Sequence, residues 1–158
     1  MLAGFFGGVT MAISQDQIRD ICLECERLSK AYAVYLDLQR YDEFAALFGE
    51  SGVLAVGGLL QGQDAIAAAM AKRPNKLRSR HVLTNILIDV EDSRTATGIS
   101  YLTLYRFLGE ESLTAAPISS FAPAAVGQYR DEFTLTTDGW RFAKRSLSFA
   151  FQNPEYFK

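Results

Sequence analysis

Between Ile18 and Leu36, apolar side chains recur at three- and four-residue steps: Ile18, Ile21, Cys22, Cys25, Leu28, Tyr32, Tyr35 and Leu36. That spacing keeps one face of a helix apolar over several turns. Ser14 stands just before the run, with Asp16 in the first turn and Gln17 three residues on, a sequence signature of a helix start. The pattern predicts a long amphipathic helix from residue 14 to about 40. A short helix is expected over 41–48, with Phe44, Leu47 and Phe48 inward, and Gly49 and Gly52 should end it. A strand over 53–56, a turn at Gly57-Gly58 and a third helix over 63–71 follow.

From Ser79 the period changes to two. Strands are expected over 79–91, 95–108, 124–137 and 140–151, with a turn at Ser93 and a hairpin at Asp138-Gly139. The loop 109–123 is long enough to serve as a flap over a site. Helices first and an antiparallel meander afterwards give the α+β class. Along 125–137 the odd positions Ala125, Gly127, Tyr129, Asp131, Phe133 and Leu135 form the inner face and the even positions are polar. The strand over 79–91 differs. His81, Leu83, Asn85 and Leu87 alternate with Val82, Thr84, Ile86 and Ile88, so both faces are largely apolar and both should be covered. The outer set predicts a homodimer or homotrimer.

Composition narrows the classes. The chain has 158 residues, a net charge of −2 and 49% hydrophobic residues, which fits one globular domain. Residues 1–12 are read as a flexible leader and 13–158 as the domain. The acidic balance argues against nucleic acid, and the basic group Lys72, Arg73, Lys76, Arg78 and Arg80 is read as a solvated connection. No stretch is long and apolar enough for a membrane span. Cys22 and Cys25 form C-x-x-C, but within a helix and without a second ligand pair, so they are read as reduced thiols and the protein as cytoplasmic. One histidine and no carboxylate cluster point to no metal. The sequence contains no phosphate loop and no G-x-S-x-G elbow. No cofactor is expected.

The remaining chemistry rests on few residues. His81 is the single histidine and the side chain suited to exchanging protons near neutrality. Asp37 lies on the flank of the helix's apolar stripe, where a carboxylate can look into a cavity beneath the helix. An Asp37–His81 dyad is one reading. In the other, Asp37 pairs locally with Arg40 and His81 is a satisfied core histidine. Tyr32, Tyr101 and Tyr129 can offer hydroxyls to a substrate, Asn85 shares the His81 face, and Asp131 is either a pocket group or half of a buried ion pair.

Four segments in order carry a family resemblance: YLDLQRYDEFAALF, the G-x-D-A-I of Gly62 to Ile66, the RHVLTNI of Arg80 to Ile86, and GQYRDEFTLTTDGWRFAKR from Gly127 to Arg145. Together they resemble the SnoaL-like branch of the nuclear transport factor 2-like superfamily. The resemblance implies a cystatin-like cone, a strongly curved, mostly antiparallel sheet wrapped around the long N-terminal helix. The superfamily includes polyketide cyclases, scytalone dehydratase, ketosteroid isomerase, limonene epoxide hydrolase and the small subunit of aromatic-ring dioxygenases, so fold alone does not settle activity. Asp37 and His81 match the dehydratase's aspartate and first histidine. Its tyrosine before the aspartate is Leu36 here, and its second histidine has no counterpart, a place Tyr101 could take. The implied function is a cofactor-free lyase or isomerase acting by Asp-His general acid/base catalysis on a hydrophobic carbonyl or polycyclic substrate. The alternatives are a non-catalytic ligand-binding module and a small structural subunit of a ring dioxygenase.

Overall fold

The computed structural model describes residues 13–119 and 122–157, so the expected leader at 1–12 lies outside the described residues. Helix α1 spans Gln15–Asp37 and starts on the expected capping box: Ser14 Oγ accepts from the Gln17 backbone N–H, and the Gln17 side chain accepts from the Ser14 N–H. Its buried face is Ile21, Cys25, Leu28, Ser29, Tyr32, Ala33 and Leu36. The helix stops three residues earlier than the periodicity suggests. Gln39 takes a left-handed conformation, φ 57°, which breaks the helical ladder. The Gln39 amide donates to the carbonyls of Asn75 and Leu77, at 3.1 and 3.0 Å, and ties the end of α1 to the start of a strand. This leaves Asp37 as the last helical residue, directed at the sheet.

Helix α2 is only Tyr41–Ala45, because Phe48 already belongs to strand β1 (Phe48–Ala55). Strand β1 runs parallel to the last strand, and Gly52 is required there: a Cβ would stand 2.9 Å from the Phe142 carbonyl oxygen. Strand β2 (Leu59–Gln61) has no counterpart in the sequence-based expectation; three residues after two glycines carry too little pattern to announce it. Helix α3 spans Gln63–Met70. The long strands are β3 (Leu77–Val90), β4 (Thr95–Leu108), β5 (Ala125–Thr136) and β6 (Gly139–Gln152). They form one six-stranded curved, open sheet in the order β2-β1-β6-β5-β4-β3, antiparallel except for the β1–β6 pair. The concave face receives α1, and the core is an aromatic cluster in which Tyr32, Phe44, Phe48, Phe133 and Phe142 are 2% exposed or less.

Two expectations need correction. Strand β3 is not a single alternating run. Thr84 pairs with Tyr101 and Leu87 with Ile99, so Asn85 and Ile86 together oppose Ser100 alone. This is a β-bulge. Asn85 adopts φ 51° there, a conformation asparagine tolerates better than β-branched residues. The bulge exchanges the faces beyond it: Ile88 and Val90 pack on the core, whereas Leu87 is 58% exposed. The outer apolar set is therefore Val82, Thr84 and Leu87, not Val82, Thr84, Ile86 and Ile88. The second correction concerns the loop after β4. It opens with a 3-10 turn at Glu110–Leu113 and is gathered by the Arg78 guanidinium, which donates to the carbonyls of Glu111, Ser112, Thr114 and Ala116. None of its described residues lines the cavity that His81 walls, so these residues do not form a flap over it.

Candidate functional site

The Asp37 carboxylate, delivered by the last residue of α1, meets the start of β3. Its Oδ1 accepts from the Ser79 hydroxyl at 2.8 Å and stands 2.6 Å from His81 Nδ1; its Oδ2 accepts from the His81 backbone N–H at 2.7 Å. The two side chains are 8% (His81) and 9% (Asp37) exposed. Burial opposes the charge on Asp37, but the His81 ring and N–H and the Ser79 hydroxyl outweigh it and hold this carboxyl below its usual range. A carboxylate only accepts, so Nδ1 carries the hydrogen and Nε2 of the neutral ring presents a lone pair. This nitrogen has no protein partner among the described residues.

His81 forms part of the wall of a cavity of about 310 Å³. Leu36, Phe44, Leu54, Val56, Leu60, Met70, Leu77, Leu104, Leu147 and Phe157 give it an apolar lining, and its polar groups are Tyr32, Tyr129, Ser79, His81, Arg73 and Arg106. This is the composition of a small-molecule site: a mostly greasy wall with a few placed polar atoms. Burial pushes the Tyr32 and Tyr129 hydroxyls above their ordinary titration range, so both remain protonated donors at neutral pH.

Beneath the tyrosines lies a second pair, in which both partners are charged. Arg145 Nε and Nη2 each stand 2.7 Å from an oxygen of Asp131, and Nη2 also donates to Ser29 Oγ at 3.1 Å. The guanidinium carbon is 4.3 Å from the ring centres of Tyr32, Tyr129 and Phe142. Arginine 145 is fully buried and its Nη1 has no protein partner. Burial alone would lower the Arg145 pKa, but Asp131 raises it instead.

The structure thus brings His81, Tyr32 and Tyr129 to one cavity, while Asp37 stands behind His81 and is not part of the lining, so it reaches the cavity only through the imidazole. Asn85 is exposed at the bulge, which turns it off the His81 face. Tyr101 is 47% exposed on the outer face opposite Thr84, because even-numbered residues of β4 point inward. Asp131 faces inward but serves Arg145 rather than the cavity. Arg40 pairs with Glu43, leaving Asp37 to the strand. Sequence reasoning missed Ser79, Arg73 and Arg106. Strand alternation carries the first and last: Ser79 shares the His81 face, and Arg106 shares that of Leu102 and Leu104. Arg73, read as part of a solvated connection, follows α3 into the wall. Cys25 is buried and its thiol is pushed up to about 12, by burial first and by Cys22 next, so it is a poor nucleophile. Among the described residues no group of three or more His, Cys, Asp and Glu side chains is placed to hold a metal ion. No described helix is long and apolar enough to cross a membrane.

Comparison with solved structures returns the same fold at low identity. A candidate scytalone dehydratase from Novosphingobium aromaticivorans superposes with a TM-score of 0.74 at 22% identity, over 89% of this chain and 91% of that one. A Mycobacterium tuberculosis protein of unknown function gives 0.72 at 23% identity, over 94% and 82%. A hexachlorocyclohexane dehydrochlorinase gives 0.72 at 12% identity, over 89% and 92%. No curated protein sequence matches significantly. A family model, the SnoaL-like domain, matches residues 20–146, and the chain belongs to that family.

Proposed function

We propose that the chain is a cofactor-free lyase or isomerase that moves a proton on a hydrophobic carbonyl compound held in the cavity. The observation that carries this reading is the 2.6 Å Asp37–His81 contact in the wall of an apolar cavity. The contact fixes the ring through Nδ1 and leaves Nε2 without a protein partner among the described residues. Two structural neighbours are named for eliminations, a candidate dehydratase and a dehydrochlorinase, which agrees with a base of this kind.

The chemistry follows from the geometry. Nε2 of His81 accepts the proton α to the carbonyl, and the C–H electron pair moves into the enolate. Tyr32, whose hydroxyl accepts from that of Tyr129, donates to the developing oxyanion. The imidazolium formed is held by Asp37, whose charge favours it. For elimination, the enolate pair re-forms the carbonyl as the β-leaving group departs, and the imidazolium returns its proton to that group, so a hydroxyl leaves as water. For isomerisation the proton returns to another carbon.

Two measurements test this. Exchange of the α-protons of 1-tetralone in D₂O, followed by NMR, reports the base without needing a leaving group. Dehydration of 3-hydroxy-1-tetralone to 1-naphthol, followed by absorbance, reports the full elimination. We expect both above the buffer rate, and lost in His81→Ala. Bound tetralone with no exchange above buffer would favour the ligand-binding module instead.

We also propose that the chain forms a homo-oligomer through the outer sheet face, where Val82, Leu87 and Tyr101 are 46%, 58% and 47% exposed. Exposed apolar patches of this kind commonly mark interfaces. Leu87→Glu should convert the assembly to monomer in light scattering; wild type already monomeric at micromolar concentration rejects the proposal.

A further inference from the structure

The cavity contains an unbalanced charge. Arg73 and Arg106 both line it, both are half-buried, and no Asp or Glu lines it. Neither arginine takes part in any ion pair among the described residues; their recorded partners are rings, Tyr41 at 5.7 Å for Arg73 and Phe157 at 4.9 Å for Arg106. Asp37, the carboxylate nearest the site, already accepts from Ser79 and His81. Burial lowers the pKa of the Arg106 guanidinium, and the like charge of Arg73 lowers it further. Two cations brought towards one cavity without an acid cost energy that a bound anion would recover.

The position is as telling as the charge. Arg106 is the direct cross-strand partner of Ser79, and Leu104 that of His81. Directly opposed residues on one face have Cβ atoms roughly 5 Å apart, so the Arg106 stem rises beside the dyad. Arg73 approaches from the end of α3. The rest of the wall is aliphatic and aromatic.

We propose that the ligand of this cavity is an amphipathic organic anion: an apolar ring system carrying one oxyacid group, a carboxylate or sulfonate, which Arg73 and Arg106 clamp while His81 faces the ring. The proposal rests on the reading of the cavity as a small-molecule site and names the class of molecule it takes. Guanidinium groups suit oxyacids because their N–H pairs match two oxygens of one anion. A neutral ligand of the same shape would leave both charges unanswered.

The test uses two dyes with one skeleton. 8-Anilinonaphthalene-1-sulfonate carries a sulfonate that N-phenyl-1-naphthylamine lacks, and each is titrated into the whole protein by fluorescence. Wild type should prefer the sulfonate, and added NaCl should weaken that preference. Arg106→Gln and Arg73→Gln should each cut it about tenfold, the effect of losing one charge-assisted contact, with melting temperature recorded to show that the variant is folded. Lys72→Gln, on the exposed side of the same basic run, should change nothing. Equal affinity of wild type for both dyes, or a preference that survives both arginine substitutions, overturns the proposal, and so does failure of both dyes to bind. His81→Ala should keep the preference, so a failed proton-transfer experiment beside an arginine-dependent preference rejects the base and leaves the anion site standing.

Discussion

Two carboxylate–base pairs sit within the same cone and meet different fates. Asp131–Arg145 is sealed: its two side chains are 1% and 0% exposed, and three aromatic rings close over the guanidinium. Asp37–His81 is equally tight, but it lies against a cavity and leaves a ring nitrogen open. The first pair uses its charges to satisfy each other inside the core. The second uses one charge to orient a base that still has a lone pair to offer. What separates structure from chemistry here is not bond length or a spare valence, for Arg145 Nη1 also lacks a protein partner, but what the spare valence faces: the core in one case, a cavity in the other.

The sealed pair can be broken with the largest effect. Asp131→Ala strands the Arg145 charge among rings and should cost about 3–5 kcal/mol, read as a lower urea midpoint with unchanged slope. Replacing both partners by apolar residues should recover most of that loss. A cost for Asp131→Ala below about 1 kcal/mol would mean that the charges are not sealed as described.

The open pair should respond in rate rather than in stability. His81→Ala should reduce proton exchange on 1-tetralone by about 10²–10⁴-fold, while melting falls by no more than a few degrees. A variant that melts far lower yet keeps its rate per folded molecule would reverse the comparison. Asp37→Asn keeps the shape and removes the orienting charge, so it should lie between wild type and His81→Ala in rate.

Acid distinguishes the pairs more gently. The Asp37 pKa is depressed in the folded protein, so protonation is harder folded than unfolded. Its contribution to stability is therefore complete above the unfolded value of about 4 and is lost as pH falls through the lower folded value. The stability difference between wild type and Asp37→Asn should shrink as pH falls through that acid window. A difference that stays level there would show that Asp37 gains nothing from His81 and Ser79.

The sequence made some of this visible. Helix α1, the four long strands and the 138–139 hairpin are strong periodic or turn features, and they appear within a few residues of where pattern reading places them. Asp37 and His81 stood out because the residue types are chemically suited and few. Strand β2 is too short to carry a period. The parity beyond Thr84 was misread because nothing in TNIL announces that Asn85 adds an extra residue, and that one slip misassigned Asn85, Ile86, Leu87 and Ile88. Tyr101 was favoured for its hydroxyl, although alternation with buried Leu102 and Leu104 already placed it outside. The arginines in the wall were missed because a basic residue after a helix usually belongs to solvent, and only tertiary packing carries Arg73 inward.

The bulge at Asn85 has one more consequence. Both halves of β3 keep their inward residues only because two residues there oppose one on β4. Loss of that single codon would join the halves into an unbroken strand, with Thr84 and Leu87 still outward and His81 and Ile88 still inward. Loss of a codon at a regularly paired position between His81 and Thr84 would turn one side of the strand over. Asn85 is thus a spare link, the point along β3 where the gene can shorten without any neighbouring side chain changing sides.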